Sequence, residues 1–354
     1  MADNFQSRRP VLQRVSPDQT TNAGLWLDKY IDHKVSSNAE KPEKNVIDEV
    51  SEIPMPAEYE QFYNRWEYLL KAKCPLPPKK AEVQGRLAIG LGAESVLETS
   101  ITLLRAYGMP YIPGSALKGL AAFYARNYLV EEDWDMESEA YRTLFGDTDA
   151  AGYVTFYDAL YVPGSGFKNK EKGKRQALWP DIITVHHPEY YQGKNKPPAD
   201  WDNPTPIHFI SATGEYLIAL DGPDKFWVER TFEILELALA ELGVGAKTSS
   251  GYGRILLGEA REKAEKAKET YAVAKNRLLM KERPPKGRVR GTVKNVQGSY
   301  GFIKSPHGGG DDFIHQSEIR GDDKQLINGQ IIEYRRVDTD KGTQARDVDI
   351  LLNP

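Results

Sequence analysis

The chain has 354 residues, a net charge of −4 and a composition that is 40% hydrophobic and 28% charged, as expected of a soluble protein with room for two or three cores. No run approaches the roughly 18 apolar residues of a membrane helix and no apolar signal core opens the chain, so no membrane association is expected and the cytoplasm is the expected compartment. One cysteine, Cys74, excludes an internal disulfide framework and a cysteine-based zinc site. The acidic balance means that any nucleic acid must be held by a local basic groove with shape and stacking.

Residues 1–54 are polar and weakly patterned, with Arg8, Arg9 and Arg14 near the start and charge and proline clustered around Lys41–Lys44. They are expected to form a partly disordered N-terminal arm with a short helix near Leu25–Ile31. From Pro56, the residues Tyr59, Phe62, Tyr63, Trp66, Leu69 and Leu70 share one helical face, a stripe that reads as core before it reads as a ligand platform. Pro75, Pro77 and Pro78 stop that helix. Residues 83–104 read as extended structure broken at Gly92.

In Pro110–Leu120, two prolines and Gly114 set a turn, and Ser115 is placed to cap a helix bearing Leu117, Leu120, Ala121, Tyr124 and Tyr128. Lys118 then lies in the first turn, beside free backbone donors and the positive end of the helix dipole, which suits phosphate. A capping turn with a solvated lysine is the plainer alternative. Gly152–Asp158 is a strand candidate. A long irregular section follows, through Lys168–Arg175, His186, His187, Tyr190, Tyr191, Lys194 and Lys196. It suits a surface tracking a nucleic-acid strand or, equally, a solvated loop.

Tyr216–Leu220 is strand-like. Asp224 then caps an amphipathic helix carrying Trp227, Thr231, Ile234, Leu235, Ala238 and Leu242. The helix runs into Gly243–Arg254, where Gly243 suits the left-handed position that ends a helix, and Ile255–Leu257 follow as a short strand. The loop's glycines let backbone amides approach an anion, and Lys247 and Arg254 add charge. It is not a Walker loop, because the order is helix then strand and no G-x-x-x-x-G-K-[ST] occurs. Taken alone, a tight connection that needs positive φ accounts for it.

Residues 258–286 form a charged helical linker, with Glu259/Lys263 and Glu262/Lys266 at supporting spacing and Pro284-Pro285 at its end. Beyond it, Arg288–Val296, Tyr300–Lys304, Asp312–His315, Gln330–Val337 and Gln344–Leu351 read as five strands of a small barrel. Tyr300, Phe302, Phe313 and His315 alternate on two adjacent strands, so all four fall on one face. As a base-stacking platform, each is worth roughly 1–3 kcal/mol.

Residues 288–351 resemble the cold-shock domain. Gly291-Thr292-Val293-Lys294 is similar to its opening strand, and Gly298-Ser299-Tyr300-Gly301-Phe302-Ile303 and Asp312-Phe313-Ile314-His315 to its two RNA-binding motifs. Gly329-Gln330 and Lys341-Gly342-Thr343-Gln344-Ala345 resemble the closing strands. The family's tryptophan is Asn295 here, the aromatic after the histidine is Gln316, and the loop between Val296 and Tyr300 is short. The resemblance therefore implies single-strand binding weaker than that of a free cold-shock protein, with Lys294, Tyr300, Phe302, Phe313 and His315 as the contacts.

Residues of about 83–257 resemble the RAMP proteins of CRISPR effector complexes, through Pro110–Leu120 and the loop ending Lys247-Thr248-Ser249-Ser250-Gly251-Tyr252-Gly253-Arg254. Gly152–Asp158, His186-His187 and Tyr190-Tyr191 are similar to the family of the sixth subunit of the type III-B Cmr complex. The resemblance implies an α+β chain: a ferredoxin-like (RRM-like) RAMP domain with insertions at 55–257, and a five-stranded OB-type cold-shock barrel at 287–354. It also implies guide (CRISPR) RNA, target single-stranded RNA and other RAMP subunits of the Cmr complex as partners, near the guide 3′ end and without target cleavage.

On that reading, Ser115, Lys118, Gly245, Lys247, Ser249, Ser250, Tyr252 and Arg254 contact RNA. Two rival readings remain. A RAMP endoribonuclease would use His186 or His187 with Tyr190 and Lys247 on a 2′-hydroxyl, and a general RNA chaperone would work through the barrel alone. No carboxylate cluster with metal-site spacing and no redox or nucleotide-cofactor motif stands out, so no metal and no cofactor are expected.

Overall fold

Lys79–Val83 buries alternate side chains, Ala81 and Val83, because it runs inside the main sheet of the computed structural model. The structure describes residues 15–18, 20–30, 42–129, 134–169, 173–187, 190, 193, 197–200, 204–281, 283–305, 310–321, 324–340 and 342–354. Arg8, Arg9, Arg14, Lys41, Tyr191, Lys194, Lys196 and Lys341 lie outside the described residues. The chain divides into two units, 1–261 and 262–354.

In the first unit the sheet order is Ile255–Leu256, Lys79–Val83, Glu215–Ile218, Ala159–Tyr161, Met109–Ile112 and Leu103–Leu104, with every pairing antiparallel. Four strands thus lie in the order fourth, first, third, second. Helices Gly114–Tyr128 and Lys225–Glu241 make the two crossovers, which is the ferredoxin-like arrangement. The 103–112 hairpin extends the sheet past its second strand.

Helix 225–241 follows its sequence pattern. The Asp224 carboxylate accepts from the Phe226 amide at 2.8 Å, and Thr231, Ile234, Leu235 and Ala238 are buried. Helix Ala57–Lys73 buries Tyr59, Tyr63 and Leu70. Leu69, expected on the same face, is instead exposed, because neighbours one residue apart lie about 100° apart on a helix and cannot share a narrow stripe.

Residues 1–54 do not behave throughout as an arm. Helices Ala23–Lys29 and Pro42–Glu52 place Trp26, Leu27, Val46, Ile47 and Val50 in the main core. Their short apolar runs gain enough buried surface there to offset ordering.

The section expected to be irregular contains two hairpins, Phe167–Lys168 with Arg175–Gln176 and the longer Leu178–Val185 with Thr205–Ala212. Pro180 faces Ile210 and Pro206 faces Thr184 in the longer one. Those prolines argue against strands on sequence alone. A two-stranded ribbon tolerates them because each strand leaves one edge unpaired.

The second unit contains a closed barrel of Val289–Gln297, Tyr300–Lys304, Asp312–His315, Ile331–Thr339 and Gly342–Leu352. Inward positions supply Val293, Ile303, Ile314, Ile332, Tyr334, Ala345 and Val348. Asp312 is buried as well and is fully engaged. It accepts from the Tyr334 hydroxyl at 2.5 Å, the Arg336 guanidinium at 2.8 Å and the Thr343 hydroxyl at 2.5 Å. Part of the helical segment before the barrel packs on it. Tyr271 donates to the Gly329 carbonyl, and Arg290 to that of Leu278 at 3.0 Å.

Removing a buried carboxylate strands its donors. Asp312→Ala is expected to destabilise the barrel by about 3 kcal/mol, read by calorimetry as a lower transition for residues 262–354. An unchanged thermogram would refute the role assigned to Asp312.

Candidate nucleic-acid interface

Register makes the barrel's aromatic face. Tyr300 lies opposite His315 and Phe302 opposite Phe313, so the four side chains share one side of the sheet. Tyr300 and Phe313 stack with centroids 5.8 Å apart, and Phe302 meets Phe313 edge-on at 6.0 Å. None belongs to the barrel core, and all four are half-buried, so flat surface is offered to solvent at fixed spacing.

Polar contacts hold the ends of this face. The Tyr300 hydroxyl donates to Gln297 at 2.6 Å. His315 Nδ1 accepts from the Ser317 amide at 3.2 Å, which places the neutral ring's proton on Nε2. Lys294 faces Phe302 across the strands and pairs with Asp311 at 2.7 Å. An exposed pair of this kind is worth at most about 1 kcal/mol, little enough for a phosphate to displace.

At Asn295, the family's tryptophan position, the backbone turns left-handed (φ 51°), and the strand register shifts between Lys294 and Gln297. Gln316 opens a turn of 3-10 helix, its amide bonded to the Ser299 carbonyl at 2.7 Å. Both departures therefore coincide with local backbone changes at the edge of the aromatic face.

The glycine-rich loop is built into its own domain. Ala246 N–H donates to the Ala88 carbonyl at 2.7 Å, Gly253 N–H to that of Arg86 at 2.8 Å, and Val244 N–H to that of Gly253 at 2.9 Å. A Cβ on Gly253 (φ 69°) would stand 1.9 Å from the Val244 carbonyl oxygen, and one on Gly245 (φ 92°) 2.4 Å from that of Ala88. These glycines serve close packing, and several of the amides expected for an anion are spent on it.

What the loop leaves outward is Lys247, itself left-handed at φ 59°, with Ser249 and Ser250 in an exposed turn of 3-10 helix. Lys247 makes no ion pair or side-chain hydrogen bond among the described residues. Arg254 has another task, donating to the Ala240 carbonyl at 3.1 Å and so capping the end of helix 225–241. Tyr252 is also engaged. Its hydroxyl donates to Asp181 at 2.9 Å and its ring lies 5.9 Å from Phe209. Burial, followed by the Asp181 contact, pushes its pKa up to about 12.

Sequence reasoning missed the partners in this cluster. The Arg86 guanidinium reaches Ser211 at 2.9 Å, lies 3.6 Å from Asp181, and sits 5.0 Å from the centre of the Trp179 ring. These residues tie the loop to the base of the long hairpin. The only signal was Trp179-Pro180-Asp181, which reads as loop because of its proline.

Helix 114–128 begins two residues earlier than a Ser115 cap would set it. Pro113 is the N-cap and no side chain caps the helix. The Gly114 amide donates to Asp158 at 2.8 Å, so a carboxylate already occupies part of the positive helix end. Ser115 is exposed and Lys118 half-buried, the latter without an ion pair among the described residues. No hydrogen bond or ion pair joins Lys118 to the glycine-rich loop.

His186 is exposed and His187 half-buried, their rings 6.4 Å apart. No hydrogen bond or ion pair joins either of them to Lys247 among the described residues. No group of three or more His, Cys, Asp or Glu arranged to hold a metal occurs among them either. No helix there is long and apolar enough to cross a membrane.

Comparison with known proteins places the two units. Residues 80–256 match the RAMP superfamily and residues 289–351 the 'Cold-shock' DNA-binding domain. The CRISPR system Cmr subunit Cmr6 of Pyrococcus furiosus is 32% identical over 254 residues, covering 56% of this chain and 72% of the relative. The chain belongs to the Cmr6 family of the RAMP superfamily. The Cmr6 subunit of Saccharolobus solfataricus is 26% identical over 197 residues, covering 54% of this chain and 61% of the relative. A chain in the cryo-EM structure of the Type III-B Cmr-beta bound to cognate target RNA is similar at 19% identity and a TM-score of 0.47, over 61% of this chain and 70% of that one. In this Cmr6 homologue the cold-shock domain follows the RAMP domain in the same chain.

Two outcomes check these assignments. Arg254→Ala should lower stability by about 1 kcal/mol through the lost helix cap and weaken RNA binding less than Lys247→Ala does. The opposite order would return Arg254 to direct contact. Tyr252 has a folded pKa above the ordinary value near 10, so its contribution to stability is full below pH 10 and is lost as pH rises through about 12. Denaturation across that range should show a smaller alkaline loss in Tyr252→Phe than in the parent.

Proposed function

We propose that this chain is a non-catalytic RNA-binding subunit of a type III-B Cmr complex, holding guide and target RNA near the guide 3′ end, with an added barrel that takes single-stranded RNA. Membership of the Cmr6 family supports the assembly and its RAMP partners. The observation that carries the RNA reading is the in-register face of Tyr300, Phe302, Phe313 and His315. It stands outside the core and has Lys294 at its border.

In the RAMP domain the contacts reduce to fewer groups than the loop's composition suggests. Among the described residues at the two predicted sites, Lys118 and Lys247 are the cations that make neither an ion pair nor a side-chain hydrogen bond, and Ser115, Ser249 and Ser250 are exposed hydroxyls beside them. Gly245 shapes the loop, while Tyr252 and Arg254 hold its conformation. The arrangement suits phosphate tracking, which positions a strand without reading its sequence.

Phe302→Ala and Phe313→Ala should each weaken binding of a short single-stranded RNA by roughly 1–3 kcal/mol, measured by fluorescence anisotropy on the full chain. Wild-type affinity in both would remove the barrel from the RNA path. Lys118→Ala with Lys247→Ala should flatten the slope of log affinity against log salt by roughly 0.7–0.9 per lost phosphate contact. An unchanged slope would show that neither lysine meets RNA. Incubation with repeat-containing and target RNA, with and without divalent metal, should leave both intact. Defined products lost in His186→Ala would replace this reading with the nuclease.

A further inference from the structure

A cavity of about 360 Å³ lies at the foot of the 167–176 hairpin, in the first unit. That volume is in the range of small-molecule sites, where apolar walls carry a few convergent polar groups. Its walls include Met55, Tyr107, Met109 and Leu178. Tyr107 is held in place, with Phe62 stacked on its ring at 5.0 Å and Tyr59 edge-on at 5.7 Å. A fixed aromatic ring and two polarizable methionines lining one cavity match a flat heterocycle.

The polar groups are of one dominant sign. Lys174 and Arg175 line the cavity, against the single carboxylate of Glu52. Arg175 is oriented by its 2.9 Å bond to the Gly166 carbonyl, which uses one of its five donors. Lys174 is exposed and makes no ion pair among the described residues. Lys168, across the ladder from Arg175, adds charge to the same hairpin. A purely apolar ligand would leave these cations unused, and an acidic peptide would leave the aromatic wall unused.

We propose that this cavity binds one unpaired nucleotide, with its base against Tyr107 and the methionines and its phosphate on Lys174 and Arg175. Glu52 is then an acceptor for a ribose hydroxyl or a base amino group. The proposal rests on the RNA-binding reading above and deepens it, adding a contact that holds a single splayed base. The nucleotide is either part of an RNA strand or free, since both present the same ring and phosphate.

Isothermal titration of the full chain with AMP, with UMP and with a short single-stranded RNA tests this. Met55→Trp fills the cavity, and Lys174→Glu reverses the charge of an exposed residue without touching the core. Both should melt like the parent and weaken at least one probe by about tenfold, while Lys118→Ala with Lys247→Ala retains monophosphate binding. Loss of monophosphate binding with RNA binding kept assigns a free nucleotide, and loss of RNA binding, with or without that of the monophosphates, assigns a base within a strand. Equal behaviour of the parent and both cavity variants toward all three probes, including no binding at all, overturns the pocket. RNA binding that responds to Lys118 and Lys247 but to neither cavity variant overturns the pocket and leaves the RNA reading standing. Monophosphate binding lost in Met55→Trp with no RNA binding by any form keeps the pocket and removes that reading.

Discussion

Two backbone hydrogen bonds hold the RAMP domain's glycine-rich loop in place: Gly253 to Arg86 and Ala246 to Ala88. They pull the helix-to-strand connection against the segment that follows the first strand, so closely that a side chain at Gly245 would collide with the Ala88 carbonyl, while one at Gly253 would collide with Val244 across the loop itself. Everything the loop displays follows from that closeness. Lys247 is turned outward in a left-handed conformation, Arg254 is turned back onto the helix end, and Tyr252 is drawn to Asp181 of the long hairpin. A loop rich in glycine and charge thus becomes a rigid mount for one free lysine and two hydroxyls.

The same economy fits the chain's charge. With a net charge of −4, non-specific attraction to a polyanion is weak, so the proposed RNA binding would depend on a few placed cations and on stacking. On that proposal the barrel supplies the stacking through cross-strand register, and the buried Asp312 network fixes the strand that carries Phe313 and His315. Burying that carboxylate is tolerable only because three donors meet it. Rigidity at this position means that the aromatic face loses little freedom when a strand binds.

Much of this was legible in the residues. The five barrel strands and their aromatic face follow from period-two alternation, which Tyr300–Lys304 and Asp312–His315 keep throughout. Helix 225–241 follows from Asp224 and its apolar spacing. What escaped was set by tertiary context. Trp26 and Ile47 lie in short polar-flanked runs whose burial depends on a core made by distant strands. Leu178–Val185 carries a proline that only a two-edged ribbon permits, and with that strand went Arg86, Trp179 and Asp181. Loop composition marked Lys247 and Arg254 alike, while only geometry separates an outward ammonium from a guanidinium spent on a helix end.

Cross-linking of a photoreactive guide RNA in the reconstituted Cmr complex, with adducts located by peptide mass spectrometry, bears most directly on the central claim. The account predicts adducts on the barrel peptides containing Tyr300, Phe302 and Phe313 and on the peptide containing Lys247. Assembly of the complex with adducts on neither, while other subunits are labelled, would contradict it.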